Sequence, residues 1–148
     1  MSLTDSITRA ATPGAGDTAR LQSALLAAIT GEVRFDPISQ ALYSTDASVY
    51  QILPLGVVIP KSRDDVVRTV QVCREFGVSI TARGGGTSQA GQAIGAGVQL
   101  DFSKYLNRVL TLEPDAKRVR VEPGIVLDEL NAFLRPYGLQ LPLDISTS

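Results

Sequence analysis

Apolar positions recur along this chain at two spacings, and each change of spacing marks an element. Leu21, Leu25, Ala28 and Ile29 repeat at helical intervals after Asp17, an N-cap candidate, until Gly31 supplies a stop. A helix packed on the outside of the domain is expected there. Pro37 is placed to open a short helix through Leu42, and Ser44-Thr45-Asp46-Ala47-Ser48 reads as a loop. Val57, Val58 and Ile59 form a continuous β-branched run closed by Pro60, and residues 78–82 offer a second strand. Between them Ser62 can cap a helix, with Asp65 three residues on in the capping-box position. Val66, Val67, Val70, Cys73 and Phe76 make its apolar stripe before Gly77 ends it. Strand, helix, strand is a parallel βαβ unit, whose ligands gather beyond the carboxyl ends of the strands.

Further on, residues 98–102 can return as a strand. Residues 109–113 and 118–122 then bracket a turn at Glu113-Pro114-Asp115-Ala116, with Pro at the favoured second position. Leu110 and Leu112 alternate with Val109, Thr111 and Glu113, as Val119 and Val121 do with Arg118, Arg120 and Glu122, so an antiparallel hairpin with one wet face is expected. A helix follows over residues 126–135, with Val126, Leu127, Leu130, Phe133 and Leu134 inward and Pro136 and Gly138 stopping it. The fold class is therefore α+β. Residues 1–16 lack periodic apolar positions and read as a disordered tail, 17–55 as covering helices and loop, and 56–148 as the main body.

Composition narrows the chemistry. With 44% hydrophobic residues in 148, the chain can bury a core. Its formal net charge is -1 with scattered Lys and Arg, which leaves no footprint for nucleic acid or anionic lipid. There is no histidine, so triads and a histidine base are excluded; the single Cys73 offers neither a disulfide nor a metal pair and reads as an inert core residue. The apolar stretch 21–29 is too short to cross a bilayer, and a cytoplasmic location is expected, peripheral at a membrane at most.

The chemistry centres on Arg83-Gly84-Gly85-Gly86-Thr87-Ser88-Gln89-Ala90-Gly91-Gln92, which follows a strand directly. Glycines present no Cβ to hold a ligand away, so backbone N–H groups can converge into an anion nest. Each charge-assisted hydrogen bond to a phosphate oxygen is worth roughly 1.5 to 3 kcal/mol. Thr87 and Ser88 add hydroxyls, while Arg83 either supplies a charge or points into solvent. A plain flexible turn is the alternative for the triple glycine taken alone. A P-loop is excluded because no Lys lies between Lys61 and Lys104. A Rossmann dinucleotide site is the runner-up: Asp101 lies near the ribose-binding distance, but glycines at 91, 95 and 97 argue against a helix opening in the loop.

Taken in order, Val57-Val58-Ile59-Pro60, Ala82-Arg83-Gly84-Gly85-Gly86-Thr87-Ser88, Val121-Glu122-Pro123-Gly124, and Leu141-Pro142-Leu143-Asp144 with Ser146 resemble the FAD-binding domain of the vanillyl-alcohol oxidase and p-cresol methylhydroxylase (PCMH) superfamily. The likeness runs over about residues 42–148 and is nearest to the FAD-linked D-2-hydroxy acid dehydrogenases of D-lactate, glycolate and D-2-hydroxyglutarate, some fused to an iron-sulfur domain. The resemblance implies a small parallel subdomain followed by the start of an antiparallel one, with FAD between them. Gly84, Gly85, Gly86, Thr87 and Ser88 would hold the pyrophosphate, Gly91 and Gln92 would line the cofactor channel, and Pro142, Asp144 and Ser146 would begin the wall beside the flavin. Where some members carry a histidine that tethers FAD, this chain has Thr87, so noncovalent binding is implied.

The same resemblance makes the chain the opening part of a longer oxidoreductase, truncated before its substrate domain, which would oxidise a 2-hydroxy acid by hydride transfer to flavin N5 and pass electrons to an acceptor. Alone it is expected not to turn over, to carry little or no flavin, to hold no iron-sulfur cluster, and to pair into a homodimer through open sheet edges. A non-catalytic nucleotide-binding or assembly module is the alternative from another class.

Overall fold

Burial, more than strand order in the sequence, decides where each strand sits. The structure is a computed structural model and describes residues 14–143. Strands β1 (Glu32–Arg34), β2 (Gly56–Ile59), β3 (Ile80–Arg83) and β4 (Val98–Asp101) form one sheet in the order β1-β2-β4-β3. Every residue of β2 and β4 is buried, whereas β3 is only half-buried. The two sealed strands therefore take the middle and β3 an edge. β2 and β3 both run parallel to β4, with Val57 opposite Gln99 and Arg83 opposite Asp101, so the expected neighbours are parallel but separated by a late-coming strand. β1 pairs antiparallel to β2 on the other side. This strand was absent from the sequence reading because a three-residue edge strand carrying two charges has no periodic signal.

Helices α1 (Ala15–Ala28) and α3 (Arg63–Glu75) cover one face. Leu21, Leu25 and Ile29 of the α1 run join Val58, Cys73, Val98 and Leu100 in the core. α1 starts at Ala15, inside the stretch expected to be tail; Gly14 is its N-cap, and Asp17 lies in the first turn, where its charge suits the helix dipole. In α3 the inward stripe is Asp65, Val66, Thr69, Val72, Cys73 and Phe76, while Val67 and Val70 are about half exposed. Apolarity alone picked the wrong valines, because the two polar residues on the inner face are satisfied locally. Thr69 donates to the Asp65 carbonyl at 2.7 Å. The Asp65 carboxylate accepts from the Thr30 and Lys61 amides, each at 2.9 Å, as well as the Thr30 hydroxyl, and so ties the end of α1 to the start of α3. Burial pushes this carboxyl up, but the Thr30 and Lys61 amides overcome it and hold its pKa below the ordinary range. Ser62 caps as expected, accepting from the Asp65 amide at 3.1 Å.

Helix α2 (Pro37–Leu42) begins on an Asp36 cap that accepts from the Ser39 amide at 2.9 Å. The hairpin consists of β5 (Val109–Glu113) and β6 (Arg118–Val121), antiparallel, followed by α4 (Leu127–Leu134) and a 3₁₀ turn, Arg135–Tyr137, that ends on left-handed Gly138. The turn lies one residue later than expected. Pro114 opens it by accepting from the Lys117 amide at 3.0 Å, and Lys117 closes it at φ 48. A register shift between Val109 and Thr111 breaks the two-residue alternation, which leaves Leu110 exposed and puts Val109 with Leu112 among the half-buried positions. In α4, Leu130 and Leu134 are buried, whereas Val126 and Phe133 remain more than two-fifths exposed. Among the described residues, no helix is long and apolar enough to cross a membrane.

Candidate functional site

The glycine-rich segment leaves the carboxyl end of β3 and must bring the chain back to start β4 in the same direction. It does so without a helix, which requires a tight return limb. A Cβ on Gly97 would lie 2.7 Å from the Ser79 carbonyl carbon, and one on Gly95 would collide with the Thr81 hydroxyl, so these glycines serve packing against β3. The buried Gln99 side chain braces the limb, its amide nitrogen donating to the Ala93 carbonyl at 3.2 Å and its oxygen accepting from the Gly95 amide at 2.9 Å.

Within the loop two faces differ. Gly86 adopts φ +70 above Arg83, and a Cβ there would stand 2.6 Å from Cζ of the guanidinium. Gly91 adopts φ +79 against Tyr50, whose ring would lie 3.1 Å from an added Cβ. Ser88 closes a local turn by accepting from the Gln92 amide at 3.1 Å, and its hydroxyl meets the Gln92 side chain. By contrast, a Cβ on Gly84 would touch nothing, and one on Gly85 would meet only Thr87 Cγ2 at 3.7 Å.

That bare face opens on a groove of about 410 Å³. Gly84, Gly85 and Thr87 form one wall; Ser103, Asn107 and the turn at Pro123, Gly124, Ile125, Val126, Leu127 and Glu129 form the other. The second wall hangs from the end of β4. The Asp101 carboxylate accepts from the Ser103 amide at 2.8 Å and from its hydroxyl at 2.7 Å, and Asn107 donates to the Ser103 carbonyl at 3.3 Å. Gly124 donates to the Leu106 carbonyl at 2.7 Å, and a Cβ on it would stand 2.6 Å from the Phe102 carbonyl carbon, so only glycine lets the turn approach this closely. Among the described residues no Lys or Arg lines the groove, and Glu129 does. An anion there must be met by backbone N–H groups and hydroxyls, toward the glycine side and away from Glu129.

The loop residues singled out from the sequence thus divide. Gly84, Gly85 and Thr87 line the groove, Gly86 packs on Arg83, and Ser88, Gly91 and Gln92 belong to the turn on the loop's far flank. Pro142 is exposed on a segment clipped to α4 through Asn131, which accepts from the Leu141 amide at 2.9 Å; Asp144 and Ser146 lie outside the described residues. Arg83 neither enters the groove nor points into solvent. Its Nη1 donates to the carbonyls of Thr45 at 2.9 Å and Ala93 at 3.2 Å, and its guanidinium lies 5.1 Å from the centre of the Tyr43 ring. Asp101, the acid weighed as a ribose ligand, is buried and accepts from the Tyr43 hydroxyl at 2.5 Å. Burial and this carboxylate push the Tyr43 phenol up to about 12. Ser103, Asn107 and the 123–129 turn were not among the sequence candidates; the one available signal was the Pro123-Gly124 pair between a strand and a helix.

Two features carry no site chemistry. A second hollow of about 500 Å³ beside α2 is lined by Pro37, Ile38, Ala41, Leu42 and Thr45, with no converging polar groups. Cys73 is fully buried, and burial pushes its thiol up to about 11, so it stays protonated and inert. Among the described residues, no three His, Cys, Asp or Glu side chains cluster to hold a metal.

Comparison with known proteins gives the family. The family described as an FAD binding domain matches residues 54–148. D-2-hydroxyglutarate dehydrogenase of Escherichia coli (strain K12) is 38% identical over 122 residues, covering 80% of this chain and 12% of that protein. A mitochondrial D-lactate dehydrogenase [cytochrome] of Arabidopsis thaliana is 40% identical over 94 residues, covering 62% of this chain and 16% of that protein. Among solved structures, 4-ethylphenol oxidase from Gulosibacter chungangensis superposes with a TM-score of 0.69 at 26% identity, over 88% of this chain and 27% of that one. The chain thus spans about an eighth of the length of the dehydrogenase it resembles over the longer stretch.

Proposed function

Because this chain belongs to the FAD binding domain family, we propose that the groove beside the glycine loop receives the pyrophosphate of FAD. The observation that carries the reading is the bare face of Gly84 and Gly85, set where a parallel strand ends and opposite a second wall. Both glycines line the groove and neither presents a side chain to it, so the residues present fit an extended diphosphate. The Gly84 and Gly85 amides with the Thr87 hydroxyl are the ligands; Gly86 and Ser88 hold the loop's shape, and Gly91 and Gln92 brace its far flank. Glu129 repels the phosphates and biases them toward the glycines. Within this chain no histidine is present to tether FAD and the cysteine is buried, so its own contacts to FAD are noncovalent.

The substrate class follows from the relatives' names. The chain serves a flavin-dependent dehydrogenase or oxidase of a D-2-hydroxy acid, with electrons leaving to a separate acceptor. FAD, when bound, supplies hydride acceptance from the substrate's α-carbon. The chain's own residues bind and orient the diphosphate end of the cofactor, and none of them is placed to move a proton in that reaction. The test is a titration of FAD into the protein extended to the length of its relatives, as wild type and as Gly85→Asp: weaker binding by the variant is expected, and equal affinities would put the diphosphate elsewhere.

A further inference from the structure

The cation at the head of the glycine loop is turned away from the groove that the loop lines. We propose that Arg83 is a positioning residue that clamps the back of the loop, so that the Gly84 and Gly85 amides face the groove before any nucleotide arrives. The proposal rests on the reading that those amides meet the diphosphate.

The geometry supports it from several sides. Arg83 is the last residue of β3, and from there one nitrogen holds two backbone carbonyls from separate segments, Thr45 and Ala93. Ala93 is buried and has both its polar backbone groups held: the carbonyl by Arg83 together with Gln99, and the amide by Asp46 Oδ2 at 3.4 Å. Tyr43 floors the guanidinium and is itself tied to Asp101, the residue paired with Arg83 across the sheet. Gly86 lies against the guanidinium, close enough that a methyl group would displace it. A flat, delocalised cation fits between the ring and the loop and still donates in its own plane; an ammonium on a flexible stem does neither. Fixing the loop in advance removes part of the ordering cost of binding. Arg83 therefore aids anion binding without touching the anion.

The decisive measurement is hydrogen–deuterium exchange over residues 84–93 in the nucleotide-free chain, paired with FAD titration of the protein extended to the length of its relatives. Arg83→Lys and Arg83→Met are expected to speed exchange there at least tenfold and to weaken FAD at least fivefold, lysine doing no better than methionine. Cys73→Ala, which loosens the core on the helix-covered face, should move neither readout and so separates positioning from general destabilisation. If lysine keeps wild-type affinity where methionine loses it, Arg83 acts by charge and the proposal is overturned. It is equally overturned if loop exchange is unchanged in both variants. Wild-type affinity in Gly85→Asp alongside faster loop exchange in Arg83→Lys would sink the diphosphate reading and leave the clamp standing. Should the Arg83 variants lack a native circular dichroism spectrum, Asp46→Asn carries the test by releasing the other half of the Ala93 anchor. Faster exchange at 91–93 with weaker FAD binding is expected of it, and wild-type behaviour in both overturns the clamp.

Discussion

Gly85→Asp separates binding from folding because of where the new side chain would go. An added Cβ meets only Thr87 Cγ2 at 3.7 Å, and Gly85 is not among the positive-φ glycines, so the fold accepts a side chain there at little cost. The carboxylate would project into the groove. At a separation of about 5 Å and an effective dielectric of about 30, one like-charge pair costs about 2 kcal/mol. That corresponds to about a 30-fold rise in the dissociation constant for FAD. In the protein extended to the length of its relatives, titration followed by quenching of flavin fluorescence reads this as a ratio of dissociation constants. Gly85→Ala, which adds volume without charge, should weaken binding by less than about fivefold, and raising the salt to about 1 M should narrow the gap between Asp and Ala. The melting temperatures of the three proteins should agree within a few degrees. If Gly85→Asp binds FAD within twofold of wild type while folded, the diphosphate does not sit on these amides. Gly86→Asp cannot replace it, since its collision with Arg83 and its left-handed backbone would test folding instead.

Three further outcomes follow from the surrounding framework. Glu32 is held by Lys104 Nζ at 2.5 Å, Tyr105 Oη at 2.6 Å and Arg34, which lower its pKa from the ordinary 4.5 to about 2. A depressed carboxyl stabilises the fold fully above about pH 4.5 and loses that contribution as pH falls through about 2. After discounting for solvent around Lys104 and Arg34, Glu32→Gln should cost about 1 to 2 kcal/mol at neutral pH and flatten the acid limb of a urea-melt stability profile, and a profile parallel to wild type would refute this. Asp65→Ala strips two part-buried amides of their acceptor and should cost about 1 to 3 kcal/mol by chemical denaturation, and a loss under about 0.5 kcal/mol would show the link to Thr30 to be dispensable. The exposed edges of β1, β3 and the hairpin are expected to pair two copies of the chain, and a monomer mass by light scattering at high concentration would count against that.

Local chemistry was legible from the chain, and long-range placement was not. The Ser62 cap, the Gly77 stop, the Pro37 helix start and the Pro136-Gly138 ending are set by a few neighbouring residues, and each appears in the structure where the sequence put it. Val67 and Val70 misled because burial of Asp65 and Thr69 depends on partners that no apolar count detects, one of them at Thr30. The slot between β2 and β3 depends on β4, whose claim to the centre lies in its complete burial. The glycine loop's place at the end of a parallel strand was readable, but which of its glycines open outward was not, since Gly86 and Gly91 are spent on Arg83 and Tyr50 and only Gly84 and Gly85 stay bare. The far wall at Ser103, Asn107 and Gly124 comes from segments joined through Asp101 and Leu106, contacts that no linear motif announces.

The strand that arrives last in the sheet sits at its middle, and this shapes how the molecule is made. Until residues 98–101 thread between β2 and β3, those two have nothing to bond to on their inner sides, and the closing segment cannot take its bend. Such non-local pairing raises contact order and slows the approach to the native state. The groove at the carboxyl end of β3 is therefore expected to take shape only once β4 is in place.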